Sequence, residues 1–123
     1  MSRLRIRVGE RESTAEWTDE NPRTREAIEE ALPLAGDCRT WGDELYFPTE
    51  VDVGPENARE EVPVGAVAYW PVGDVICLFW GATPASHGDE PRAAAPVNVV
   101  ARLDDPDALV GTEEGDEVRI ALD

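Results

Sequence analysis

Arginine and aliphatic residues alternate strictly at the start of the chain: Arg3, Arg5 and Arg7 against Leu4, Ile6 and Val8. A period of two is the pattern of a strand with one buried face. Residues 9–12 read as a turn, and 13–18 as a second strand folded back on the first. The period then lengthens. Asn21 is a candidate helix cap with Pro22 at the first position, and Ala27, Ile28, Ala31 and Leu32 form one apolar stripe at helical spacing. Pro33 ends that helix. Glu26 and Glu30 form a like-charge pair on its polar face.

Beyond the helix the pattern is mostly β. Residues 37–41 and 44–47 predict short strands around Gly42-Asp43, and 48–63 reads as a long polar connection. Residues 66–70 and 74–80 form the clearest hairpin. Its turn, Trp70-Pro71-Val72-Gly73, has proline second and glycine fourth, as in a type I turn closed by a glycine bulge. Residues 75–80, Val-Ile-Cys-Leu-Phe-Trp, are apolar on both faces and predict a central strand. Residues 81–96, with three prolines and few large apolar side chains, read as a loop. Strands at 97–103 and 117–122 flank an acidic turn over 104–116 and complete the set. The expected fold is mainly β: one domain over 1–123, a closed or nearly closed barrel of about eight strands with one helix after the second. Closure protects the edges that a small all-β chain otherwise exposes.

Charge narrows the function classes. Eleven Arg, no Lys, and 27 Asp plus Glu give a formal charge of −16 in 123 residues. Phosphate contact needs a basic surface, so neither nucleic acid nor an anionic membrane is an expected partner. The acids are scattered rather than gathered in a tail, which favours solvation over docking to a basic partner. So much mutual repulsion opposes compactness. Salt relieves it, since the Debye length falls to about 3 Å at 1 M. The reading is a protein suited to a salt-rich cytoplasm, and its denaturation midpoint should rise as KCl approaches molar levels. A flat or falling midpoint would refute that. Residues 1–8 hold no apolar run of the secretory kind, and no stretch approaches the roughly 18 apolar residues of a membrane span.

Little catalytic chemistry is on offer. Cys38 and Cys77 are the only cysteines and His87 the only histidine. Two distant cysteines suit neither a disulfide framework nor a four-ligand zinc site, so buried reduced thiols are expected and no metal or other cofactor. His87 lacks the sequence context of a nucleophile triad, and Gly54, Gly65 and Gly73 are isolated turn glycines rather than a phosphate loop.

Three segments carry a resemblance: Thr40-Trp41-Gly42-Asp43-Glu44-Leu45-Tyr46-Phe47, Tyr69-Trp70-Pro71-Val72-Gly73, and Cys77-Leu78-Phe79-Trp80-Gly81-Ala82-Thr83-Pro84. With this spacing the chain resembles the short prokaryotic cyclophilin-like proteins, barrels of cyclophilin fold with no established activity. Pro22-Arg23-Thr24-Arg25-Glu26 is similar to the Pro-Lys-Thr-x-Glu that opens the first helix of true cyclophilins. The isomerase residues are another matter. Arg39 lies near the place of the catalytic arginine, but Cys38 and Thr40 do not match a Phe-His-Arg strand. Asp43-Glu44-Leu45-Tyr46 stands where Phe-Met-x-Gln is expected, and no Gln-Phe-Phe strand follows.

Prolyl isomerisation crosses a barrier near 18–20 kcal/mol and needs an apolar ring slot facing a donor to the twisted amide. Arg39 is the one candidate donor, so peptidyl-prolyl isomerase activity is the second reading. The first is a binding module for a small molecule or peptide. If Leu45 and Phe47 point inward, Glu44 and Tyr46 face outward. Tyr69 and Trp70 would then add a wall, with Arg39 nearby and the 81–96 loop able to close over it. Such a surface suits a small polar or amine-bearing ligand. Trp41, Phe79 and Trp80 read as core. A third possibility is an assembly role through an uncovered strand edge, which leaves an oligomer open.

Overall fold

A computed structural model describes residues 3–123; Met1 and Ser2, the start of the segment read for a leader, lie outside the described residues. The alternating N-terminus forms β1 (Arg3–Val8), with Leu4, Ile6 and Val8 buried and the arginines turned outward. It pairs antiparallel with β2 (Arg11–Trp17) on one side and with β10 (Glu117–Leu122) on the other. Helix α1 (Pro22–Ala31) follows, starting at its proline and ending before Pro33 as the stripe predicts.

Strands β3 (Leu34–Asp37) and β4 (Arg39–Thr40) come next, then β5 (Glu44–Pro48), β6 (Arg59–Glu61), β7 (Ala66–Trp70), β8 (Val75–Phe79) and β9 (Arg92–Leu103). The main sheet runs β3-β10-β1-β2-β9-β7-β8-β5-β4, and β6 pairs with β9 off that path. Its two end strands, β3 and β4, are joined through Cys38, so the sheet curls back on itself without closing its hydrogen-bond ladder. At that seam Gly36 lies against Phe47: a Cβ at Gly36 would stand 3.1 Å from the ring.

Ten strands form among the described residues where about eight are expected. The 37–41 segment breaks because the Cys38 N–H donates to Asp116 O and its carbonyl accepts from Gly115 N, which turns the chain from one sheet end to the other. The polar 48–63 connection contributes β6 and a buried Val51. Strand β9 begins at Arg92, five residues before the expected start, because Ala93 and Val97 bury against the outer side of the sheet. In the hairpin the left-handed residue is Asp74 (φ 51°), not Gly73. Gly73 serves another purpose: a Cβ there would stand 2.4 Å from the Trp70 ring.

Leu4, Ile6, Val8, Leu45, Phe47 and Tyr69 are among the side chains filling the barrel interior, and Ile28 of α1 and Leu109 of the Pro106–Leu109 turn join them. Each fully buried large aliphatic or aromatic contributes about 1.5–3 kcal/mol. The helix is seated by a polar network rather than by its expected cap. Asn21 donates from Nδ2 to Val99 O (2.7 Å) and accepts from Asn57 N–H (2.7 Å). Glu56, from the 48–63 connection, caps α1 in its place, accepting from the Arg23 and Thr24 amides at 3.2 and 3.1 Å and from the Thr24 hydroxyl at 3.0 Å. Burial works to raise the Glu56 pKa, but these donors together hold it below the ordinary range. No helix among the described residues is long and apolar enough to cross a membrane.

Candidate functional site

Register decides which side chains leave the barrel. Across β5 and β8, Leu45 opposes Leu78 and Phe47 opposes Ile76, all four facing the interior; Glu44 opposes Phe79 and Tyr46 opposes Cys77 on the other face. Across β7 and β8, Ala68 opposes Cys77 and Trp70 opposes Val75. This outer face would be solvated in an ordinary barrel. Here a second apolar cluster covers it, formed by Ala66, Ala68, Cys77, Phe79, Ala93, Val97 and Val99 with Val62 from beside β6. The cover is incomplete. Between the outer face of β5 and β8 and the first half of β9 lies a cleft of about 320 Å³, lined by Trp41, Glu44, Tyr46, Trp70, Cys77 and the Ala93-Ala94-Ala95 run, with Val75 and Val97 beside them.

Two of the motif segments interlock to set the rim. The Asp43 N–H donates to Ala82 O and the Trp80 N–H to Asp43 O, both at 2.9 Å. Gly42 (φ 61°) lets the chain pass so close that a Cβ would stand 2.8 Å from the Thr83 Cα. A Cβ at Gly81 would likewise stand 2.5 Å from an Asp43 carboxylate oxygen. The Thr-Trp-Gly-Asp and Trp-Gly-Ala-Thr-Pro runs are therefore two halves of one clamp, which presents Trp41 and starts β5 at Glu44.

Below the clamp, the 81–91 loop is tied down rather than poised to close. Ser86 accepts from the Thr83 N–H at 2.9 Å, and its hydroxyl donates to Glu90 O. The Glu90 carboxylate accepts from the His87 and Gly88 amides at 2.8 and 2.7 Å and from Arg92 at 3.1 Å. The His87 amide leads these in lowering the Glu90 pKa to about 2. The His87 side chain itself is exposed in this loop.

Glu44 is the site's electrostatic anomaly. It is 5% exposed, and among the described residues it forms no ion pair. Burial raises its pKa from 4.5 to about 7, with the Cys77 thiol the single group pulling the other way. Burial, and next the neighbouring carboxylate, hold the Cys77 thiol well above its ordinary range. A carboxyl group whose pKa burial has raised thus faces an apolar, aromatic cleft, the kind of setting in which perturbed acids gather at functional sites.

Of the residues named from sequence, Glu44, Tyr46 and Trp70 converge on this cleft. Tyr69 does not. It is fully buried inside the barrel, where its one hydroxyl proton is shared between two acceptors, Val51 O at 2.7 Å and Asp74 Oδ1 at 2.8 Å. Burial, then the Asp74 contact, raises its pKa to about 12. Arg39 opposes Tyr46 in register and so shares the outer face, but its side chain is exposed and stays outside the cleft lining. Trp41, read as core, is only half-buried and lines the cleft, while Trp80 packs against the inner core and Phe79 is fully buried in the outer one. Cys77 opens one of the motif segments but is not named there as a site residue, and the Ala93–Ala95 run belongs to no motif; the doubly apolar β8 is the signal that its outer face needed a cover. Among the described residues no three His, Cys, Asp or Glu gather as a metal site would require.

Comparison with known proteins agrees with the fold. A search of curated proteins returned no match. The solution structure of a hypothetical protein from Archaeoglobus fulgidus is similar over 98% of this chain and 93% of its own, at 41% identity and a TM-score of 0.82. The family model described as Cyclophilin-like matches residues 2–121, and the chain belongs to that family.

Proposed function

We propose that the protein is a binding module and that a small molecule or a short peptide segment occupies the outer cleft. The observation carrying this reading is the convergence of Glu44, Tyr46 and Trp70 on one concave, mostly apolar surface. Binding sites combine such a surface with a few polar groups that fix orientation, and Glu44 is the polar group here. A buried acid without a counter-ion works against folding, which makes little sense unless the site uses it. Isomerase activity ranks second, because Arg39, its candidate donor, stands in solvent beside the cleft.

The test is a fragment titration followed by backbone amide shifts, with small aromatic cations, alcohols and acids and short proline-containing peptides. Saturable shifts centred on Glu44, Tyr46, Trp70 and Cys77 are expected. Shifts confined to other surfaces, or none, would overturn the reading. In a prolyl isomerase assay no turnover is expected. Turnover that disappears in Arg39→Ala would put isomerisation first.

A further inference from the structure

The cleft's contents narrow the ligand's chemistry. It holds one carboxylic acid and three aromatic rings, and its remaining walls are Cys77 and small aliphatic groups. Among the described residues, no arginine, amide or hydroxyl other than the Tyr46 phenol lines it. An anionic ligand would meet no positive donor there and would face a second negative charge. A neutral polar ligand would find few partners. A cation with apolar substituents would find both of its needs, a counter-charge in low dielectric and aromatic faces.

We propose that the cleft takes an organic ammonium ion, with its charged nitrogen against the Glu44 carboxylate and its carbon substituents on Trp41, Tyr46 and Trp70. This rests on the binding reading of the same cleft. Glu44 lies deep, while Trp41, Tyr46 and Trp70 are only half-buried, so the acid sits behind an aromatic mouth. The volume of about 320 Å³ admits a ligand the size of a small aromatic amine. The net charge of −16 would draw such a cation toward the protein at low salt.

Binding of a permanent cation then competes with a proton for Glu44. The groups facing that acid leave it as the one that responds between pH 5.5 and 8.5. Its own strand offers the Tyr46 phenol, β8 the thiol of Cys77 held protonated by burial, and β4 the permanently charged Arg39 at the outer face; the β7 and β9 positions of the cleft carry no titratable side chain. An acid titrating at about 7 is only about 3% ionised at pH 5.5 and nearly fully ionised at pH 8.5. Affinity for the cation should therefore fall about thirtyfold between those limits.

The probe is benzyltrimethylammonium, whose charge does not depend on pH, with benzyl alcohol and benzoate as neutral and anionic counterparts. Binding is followed on the whole protein by amide and indole resonances. The cation should bind at pH 8.5 with shifts at Glu44, Tyr46 and Trp70, at least tenfold tighter than either counterpart. Glu44→Gln should weaken it at least tenfold. Glu10→Gln removes the same charge from an exposed turn and should leave it unchanged, which separates the cleft from general attraction to an acidic surface. Benzyl alcohol or benzoate binding the cleft as tightly, or cation binding indifferent to pH and to Glu44→Gln, would overturn the ammonium proposal and leave the binding module standing. No shifts in the cleft with any of these probes or the wider fragment set would overturn both.

Discussion

The two faces of β5 and β8 share a backbone and differ in every other respect. Inward, Leu45, Phe47, Ile76 and Leu78 are at most 1% exposed and pack against apolar neighbours. The phenol of Tyr69, the polar group that β7 sends inward, has its hydroxyl bonded to Val51 O and Asp74 and accepts from the Val53 N–H. Outward, the same strands bury Glu44 without a cationic partner among the described residues and leave space in front of it. On the inner face of these strands the space is filled and the Tyr69 hydroxyl is bonded, whereas the outer face keeps an open cleft and, among the described residues, an acid without an ion-pair partner. A small barrel can thus secure its fold on one face of its strands and keep an uncompensated group on the other.

This contrast breaks most visibly under truncation. Phe47→Ala, inside, should destabilise by about 3–5 kcal/mol in chemical denaturation, because it removes a fully buried ring and leaves a cavity. Tyr46→Ala, one residue away and half-buried on the cleft, should cost less than half as much. Equal losses would mean that the outer face is as structural as the inner one.

A smaller effect sharpens the electrostatic half of the contrast. Glu44 titrates at about 7 in the folded chain against 4.5 ordinarily, so the unfolded state ionises first. Stability is therefore greatest with the acid protonated and falls as pH rises from 4.5 through 7, by up to about 3.5 kcal/mol in all at roughly 1.4 kcal/mol per pKa unit. Glu44→Gln should be more stable than the parent at pH 8.5 by up to that amount and no different at pH 4. A variant that is destabilised at pH 8.5 would mean that Glu44 is held by favourable contacts.

Glu56 supplies the opposite sign and the smallest change. Its lowered pKa means that ionised Glu56 stabilises the fold above the ordinary glutamate range, a contribution lost as pH falls. Glu56→Ala should cost about 1 kcal/mol at pH 7, the usual worth of a helix cap, and less at pH 3. A loss that grew on acidification would contradict the capping role.

Most of the fold was legible because its signals are local. Strict alternation located β1, helical spacing located α1, and doubly apolar β8 read as central. What escaped depends on distant partners. Residues 92–96 look like loop because small alanines and Pro96 carry no strand signal, yet they extend because they cover the outer cluster. Arg59–Glu61 reads as solvated and is strand only because β9 lies beside it. Asn21 looks like a cap, but Glu56, 35 positions on, does that work. At the site, alternation within β5 was enough to send Glu44 and Tyr46 outward together. Adjacent Tyr69 and Trp70 had to part to opposite faces by the same rule, and grouping them as one wall overlooked it. The burial of Glu44 was not legible, since one strand does not reveal what covers it.

The desolvated state of Glu44 can be measured directly. A carbon-detected NMR titration of the Glu44 side-chain carboxyl in the intact protein should give a midpoint near 7. A midpoint near 4.5 would show a solvated or well-partnered acid and would contradict the account.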